Sequence, residues 1–171
     1  MITPGWVRAM AAYNAEMNRR WYAAAETLTD AQRQEPVGAF FGSLHGTLSH
    51  LLWADHTWMS RFDGWEKPGV GIPGSAIFEP DWAALARRRV ETDARISAWA
   101  ARLAEPDLEG MLTWFSGAAG REMTKPRWLL VSHMFNHQTH HRGQAHALLT
   151  RFGAKTQDTD LPWAIADADL A

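Results

Sequence analysis

The sequence predicts an all-α protein, a four-helix bundle with an irregular segment before the last helix. Three observations lead to this prediction. Four long segments repeat apolar residues at helical spacing, glycine and proline interrupt the chain between them, and the middle connections are long. The chain has 171 residues, 46% of them hydrophobic, and no long linker rich in Pro, Gly or Ser divides it. We therefore expect a single domain over residues 1–171.

The first two long helices have recognisable beginnings. The first is predicted over residues 4–28, with a proline in its first turn, where a missing N–H costs nothing. Thr29 and Gln32 then have the spacing of a capping box, which predicts a short extra turn. After a break over residues 36–42, Ser43 is the expected N-cap of the second long helix.

The second helix is expected to stop at Asp63 and Gly64, a pair typical of turns. Residues 64–80 hold four glycines and three prolines, so they are predicted to form a loop. The third long helix is predicted over residues 81–103, and Pro106 prevents the helix from continuing further.

The segment before the last helix differs from the rest of the chain. Residues 108–124 have no clear helical period and carry Gly117 and Gly120, which favours an extended excursion or a loose hairpin. The fourth long helix is predicted to start near Lys125 and to end at Gly153, a typical residue just beyond a helix. The polar residues 155–171 are expected to lie along the outside of the bundle.

All eight histidines fall within residues 45–56 and 133–146. His137 and His141 are four residues apart, so on a helix their rings project from adjacent turns of one face. Most histidine pairs at this spacing are structural, but this pair projects close to the apolar stripe of its helix. Each buried imidazole left without a partner would cost about 1 to 3 kcal/mol, and one metal ion satisfies both. The pair is therefore a predicted metal site, with a third ligand from the first cluster.

Two well-known metal chemistries do not fit this sequence. Di-iron carboxylate bundles need Glu-x-x-His pairs, and no glutamate here has a histidine three residues later. Zincin proteases need a glutamate directly after the first histidine, where this chain has Gln138. Because the chain has no cysteine, thiolate ligands and disulfides are also excluded.

Composition and charge restrict the classes of partner that we expect this protein to bind. The net charge is −2, and the only basic run, residues 87–89, would occupy three different faces of a helix, so we expect no nucleic-acid binding. No apolar run approaches the roughly 18 residues of a membrane span, and the first residues lack the pattern of a signal peptide. We expect a cytoplasmic protein that does not contact a membrane.

Three groups of residues together resemble the DinB family. They are the run from Leu48 to Asp55 with Trp58 and Arg61, the run from Asn136 through His137 to Gln144, and the run from Thr159 to Pro162. The resemblance implies a four-helix bundle, usually a homodimer. It also implies one divalent metal ion, often zinc or nickel, held by one histidine of the second long helix and a His-x3-His pair of the fourth. These ligands correspond to His50, His137 and His141.

Periodicity alone does not select His50. The apolar side of the second long helix centres near Asp55 and Phe62, and His50 projects about 130° from that centre. The family resemblance favours His50, and a bundle helix can bury a second face against a dimer partner. His45 is the alternative third ligand.

Three neutral nitrogens would leave coordination positions open, as in a reactive rather than a structural site. Two further residues are predicted to serve this site. Arg142 could orient an anionic substrate or pair with a carboxylate, and Asp55 could act in acid-base chemistry or support a ligating imidazole. Trp114 and Phe115 either cover the site or pack in the core.

Two classes of function follow from this sequence. Some members of the family that it resembles are transferases or isomerases that use a low-molecular-weight thiol such as bacillithiol, mycothiol or glutathione. The first class is therefore a metal-dependent enzyme acting with such a thiol on a small-molecule substrate. The second is a non-catalytic, stress-associated protein whose metal stabilises the bundle or is sensed by it.

Overall fold

Four long helices form the bundle in a computed structural model, which describes residues 1–166. They are α1 (Pro4–Glu26), α3 (Leu44–Phe62), α4 (Trp82–Arg102) and α5 (Arg127–Arg151). Helix α1 packs against α4 and α5, and α3 packs against the same two helices. Helices α1 and α3 therefore occupy opposite corners, and the predicted four-helix bundle is confirmed.

The helix ends follow the predicted capping chemistry. Ser43 accepts a hydrogen bond from the backbone N–H of Gly46 and caps α3, as expected. Thr29 and Gln32 form the predicted capping box at the start of the short helix α2 (Asp30–Gln34). Helix α5 is followed by Gly153 at φ +77°, a left-handed conformation that glycine adopts without strain.

The segment before α5 is a β-hairpin. Strand β1 (Met111–Ser116) pairs antiparallel with β2 (Arg121–Pro126), and Trp114 lies opposite Met123. The expected loose hairpin is thus confirmed, and the fold is mainly helical with a two-stranded sheet rather than strictly all-α. Within the predicted loop 64–80, a 3-10 turn forms at Ile72–Ile77.

Apolar side chains form two core clusters at different levels of the bundle. One is built around Trp21, Leu48 and Leu149, and the other around Trp99, Val131 and Phe135. Buried polar side chains from all four long helices also lie inside the bundle, and we call this set the polar layer. Its members are Asn14, Asn18, Asp55, Arg89, Asp93, Gln138 and Arg142.

The chain after α5 returns along the bundle. The Tyr13 hydroxyl donates to the carbonyl oxygen of Thr159, and a short helix α6 (Leu161–Ala164) follows. Residues 167–171 of the predicted outer tail lie outside the described residues. None of the helices in residues 1–166 has both the length and the hydropathy that crossing a membrane requires.

Candidate metal centre

Helices α3 and α5 bring three histidines together. One potential ligand nitrogen from each of His50, His137 and His141 lies within 4.8 Å of the other two. The Nε2 atoms of His50 and His137 are 3.3 Å apart. The His137 and His141 ring centroids are 4.4 Å apart, because a spacing of four residues places both rings on adjacent turns of α5. These three histidines form the candidate metal centre.

Hydrogen bonds orient two of these rings. Ser75 Oγ lies 2.8 Å from His50 Nδ1 and donates its own hydrogen to the Ile72 carbonyl oxygen, so it must accept from Nδ1–H. Likewise, Gln144 Oε1 can only accept, and it lies 2.7 Å from His141 Nδ1. Both arrangements leave the Nε2 lone pair available. The donor set therefore fits a divalent metal ion, and the hydrogen bonds to Ser75 and Gln144 fix the tautomers of two ligands.

The imidazoles are in the protonation state that ligation needs. Burial, with smaller contributions from His137 and His141, lowers the pKa of His50 to about 3. Burial and His141 lower the pKa of His137 to about 3, and burial also lowers the pKa of His141. The neutral form of these rings therefore dominates at pH 7, and neutral imidazole is the metal-binding form.

Aromatic side chains border the centre. Phe41 stacks on His50 with ring centroids 3.6 Å apart, and it lies edge to face with His141 at a centroid distance of 5.2 Å. Trp53 also stacks on His50, at 5.5 Å. The loop that carries Phe41 approaches α3 closely, since a Cβ atom at Gly46 would clash with the Phe41 carbonyl oxygen. Sequence analysis did not identify Phe41, because an aromatic residue in a connecting loop carries no periodic signal.

The alternative third ligand, His45, lies elsewhere. Its Nε2–H donates to the Glu79 carbonyl oxygen over 2.7 Å, and His45 does not join the three-histidine group. His50 is buried although it projects away from the apolar centre of α3, because the turn at Ile72–Ile77 packs on this second face. The expected burial against a dimer partner is therefore not needed to explain its position.

Asp55 and Arg142 both belong to the polar layer. Asp55 accepts hydrogen bonds from Arg89, at 2.6 Å, and from Gln138. Arg142 donates to Asn14, and its own carbonyl oxygen accepts from the Trp21 indole N–H at 2.9 Å. The exposed fractions of Asp55 and Arg142 are 1% and 3%. Their side-chain partners are thus protein groups inside the bundle.

Charges within the polar layer are balanced in number. Arg89 lies between two carboxylates and pairs with Asp55 at 2.6 Å and Asp93 at 2.7 Å. Burial raises the pKa of Asp93 to about 6, although Arg89 opposes this shift. Burial lowers the pKa of Arg142 to about 10, so the guanidinium stays charged at pH 7. Gln138 and Arg142 directly follow His137 and His141, so the same turns of α5 present ligands on one side and the polar layer on the other.

Comparisons with known proteins agree with this fold. A solved structure, that of YfiT from Bacillus subtilis, superposes with a TM-score of 0.62 at 15% sequence identity over 91% of this chain and 92% of that one. YfiT is described as a probable metal-dependent hydrolase with an unusual four-helix bundle topology. No curated protein sequence matches the chain. The model of the DinB family matches residues 1–169, nearly the whole sequence, and the chain therefore belongs to the DinB family.

Proposed function

We propose that this protein is a metal-dependent enzyme that acts on a small molecule with a low-molecular-weight thiol, as a transferase or isomerase. His50, His137 and His141 would hold one divalent ion, zinc or nickel. The observation that carries the proposal is the convergence of their three ligand nitrogens, which neither a carboxylate nor a thiol of residues 1–166 joins. Such a centre would leave positions open for an external ligand.

A divalent ion in this centre would lower the pKa of a bound water or hold a substrate thiol as its thiolate, the nucleophilic form. The thiol reading is favoured by the surroundings of the centre. General-base assistance to a bound water would need a free carboxylate, and Asp55, the residue predicted for acid-base chemistry, is already engaged by Arg89 and Gln138. In a transfer reaction, the thiol sulfur forms the new bond to the electrophilic carbon of the second substrate, and the proton of the thiol leaves with the displaced group.

The protein side chains have separate tasks in this scheme. Ser75 and Gln144 hold the His50 and His141 rings with Nε2 directed away from the hydrogen-bonded edge. Phe41 covers one face of His50 and limits the access of water. The contacts of Asp55 and Arg142 favour positioning of α5 over contact with substrate, so we propose that both act indirectly.

The test begins with elemental analysis of untagged protein, followed by thiol consumption with and without a chelator. We expect one divalent ion per chain and turnover with one physiological thiol, both lost in His137→Ala. His146→Ala is the matched control, because His146 lies on the same helix and bonds Thr156 instead. This variant should keep both metal and turnover.

Cobalt substitution separates the competing functions. Thiol addition should produce a sulfur-to-metal charge-transfer band if the sulfur enters the centre. Tight metal binding without this band and without turnover would instead favour a non-catalytic metal protein. Chelator-sensitive hydrolysis without the band would favour the reaction class ascribed to YfiT.

A further inference from the structure

Arg61 on α3 is a half-buried cation held by aromatic rings. Its guanidinium carbon lies 4.4 Å from the Trp58 ring centroid and 5.8 Å from that of Trp114 on strand β1. Among the ion pairs and hydrogen bonds within residues 1–166, none involves its side chain. Burial lowers the pKa of Arg61, since partial removal from water disfavours the charge.

The surroundings of this cation leave its hydrogen-bond donors available. Stacking on tryptophan faces fixes the plane of a guanidinium but leaves its N–H edges free. Those edges can bind a carboxylate or a phosphate through two parallel hydrogen bonds. By contrast, Arg89, Arg88 and Arg102 all pair with carboxylates of the protein.

A strip of rings joins Arg61 to the candidate metal centre. The Trp58 ring centroid is 5.1 Å from that of His133, which in turn is 5.8 Å from that of His137. His133 is exposed and Trp58 is half-buried, so this strip reaches the surface of the protein. Along α3, Trp58 follows His50 by about 12 Å at a rise of 1.5 Å per residue.

The three parts of the strip differ in chemical character. One end offers imidazole nitrogens, the middle offers flat aromatic faces, and the other end offers a cation that pairs with no carboxylate of residues 1–166. A linear molecule with a metal-seeking group, an apolar body and an anionic end would match all three parts.

We propose that Arg61, held by Trp58 and Trp114, binds the anionic end of a substrate whose reactive group lies at the three-histidine centre. This inference rests on the proposed function and adds the substrate class, an elongated small molecule with a carboxylate or a similar oxyanion. Arg61 is thus a specificity-determining residue.

Calorimetric titration of the zinc-loaded protein tests this assignment without measuring turnover. The probes are mercaptooctanoate and mercaptooctanol, which share a thiol and a chain length but differ in charge at the far end. The carboxylate should bind about tenfold more tightly than the alcohol, as expected for one charge-assisted contact at a half-exposed site. Mercaptopropanoate, whose chain is too short to span the strip, should gain much less affinity from its carboxylate.

Arg61→Gln should abolish the preference for mercaptooctanoate, and Arg61→Lys should restore part of it, because the charge returns without the planar fork. Arg95→Gln is the matched control. Arg95 also lies over a tryptophan, Trp65, at 3.6 Å, but it is carried by α4. This control should keep the full preference. An equal affinity for both probes in the parent protein, or an undiminished preference in Arg61→Gln, would overturn the assignment.

The two proposals can fail separately. If cobalt-substituted protein shows no charge-transfer band with these thiols, the thiol reading of the function fails. Titration with octanedioate and its monomethyl ester then tests Arg61, because one carboxylate can approach the metal in place of sulfur. A preference for the diacid that disappears in Arg61→Gln supports the subsite, and no preference refutes it.

Discussion

Ser75→Ala should weaken metal binding without removing a ligand. The Ser75 hydroxyl is the acceptor for His50 Nδ1–H, and Ser75 is fully buried with an exposed fraction of 0%. In the metal-free protein, His50 can relieve the loss by moving its proton to Nε2. In the metal-bound protein Nε2 is a ligand, so the proton must stay on Nδ1. The Nδ1–H group then has no hydrogen-bond partner. The penalty therefore falls on the metal-bound state.

The size of this effect follows from the buried donor. An unsatisfied buried N–H costs about 1 to 3 kcal/mol, and each 1.4 kcal/mol is tenfold in affinity, so zinc should bind roughly 10- to 100-fold more weakly. Competition with a chromophoric chelator measures the dissociation constant. Ser60→Ala is the control. Ser60 lies on α3, the helix that carries His50, and its hydroxyl also donates one hydrogen bond, to the Thr57 carbonyl oxygen. Equal zinc affinities of the two variants would refute the role given to Ser75.

Three further predictions concern stability. Zinc at about 1,000 times its dissociation constant should add roughly 4 kcal/mol to the free energy of unfolding, so chelation should lower the melting temperature by several degrees. Arg89→Met should cost about 3 to 5 kcal/mol in urea denaturation, since it leaves Asp55 and Asp93 buried without their cation. The metal-free protein should lose stability as the pH falls from 6.5 towards 3, because the unfolded chain binds protons that buried His50 and His137, with pKa values of about 3, do not.

Each of these predictions has a clear contrary result. An unchanged melting temperature after verified metal removal would contradict a centre between α3 and α5. Arg88→Met should cost less than about 1 kcal/mol, because Arg88 and Glu79 form a partly exposed pair. A similar loss in both arginine variants would contradict the importance of the polar layer. Equal urea midpoints of the metal-free protein at pH 7 and pH 5 would contradict the pH prediction. Protonation of Asp93, whose pKa is raised, offsets only part of the expected loss of stability.

Local sequence patterns predicted most of the fold. The four long helices, the N-cap at Ser43, the capping box at Thr29 and the stop at Gly153 all depend on residues close together in the chain. The hairpin before α5 was anticipated from the lack of helical period, although its pairing required the three-dimensional structure. The strands also made the all-α class too narrow.

By itself, the sequence also determined that His137 and His141 share one face of a helix, because a spacing of four residues fixes their relative direction. It indicated in addition that Asp55 needs a buried partner. Only the tertiary structure decided that Arg89 and Gln138 are its partners, and that His50 rather than His45 completes the group. Helical periodicity gives directions about one axis only. Which neighbour lies in a given direction depends on packing between distant segments, here the turn at Ile72–Ile77 that covers the second face of α3 and brings Ser75 to His50.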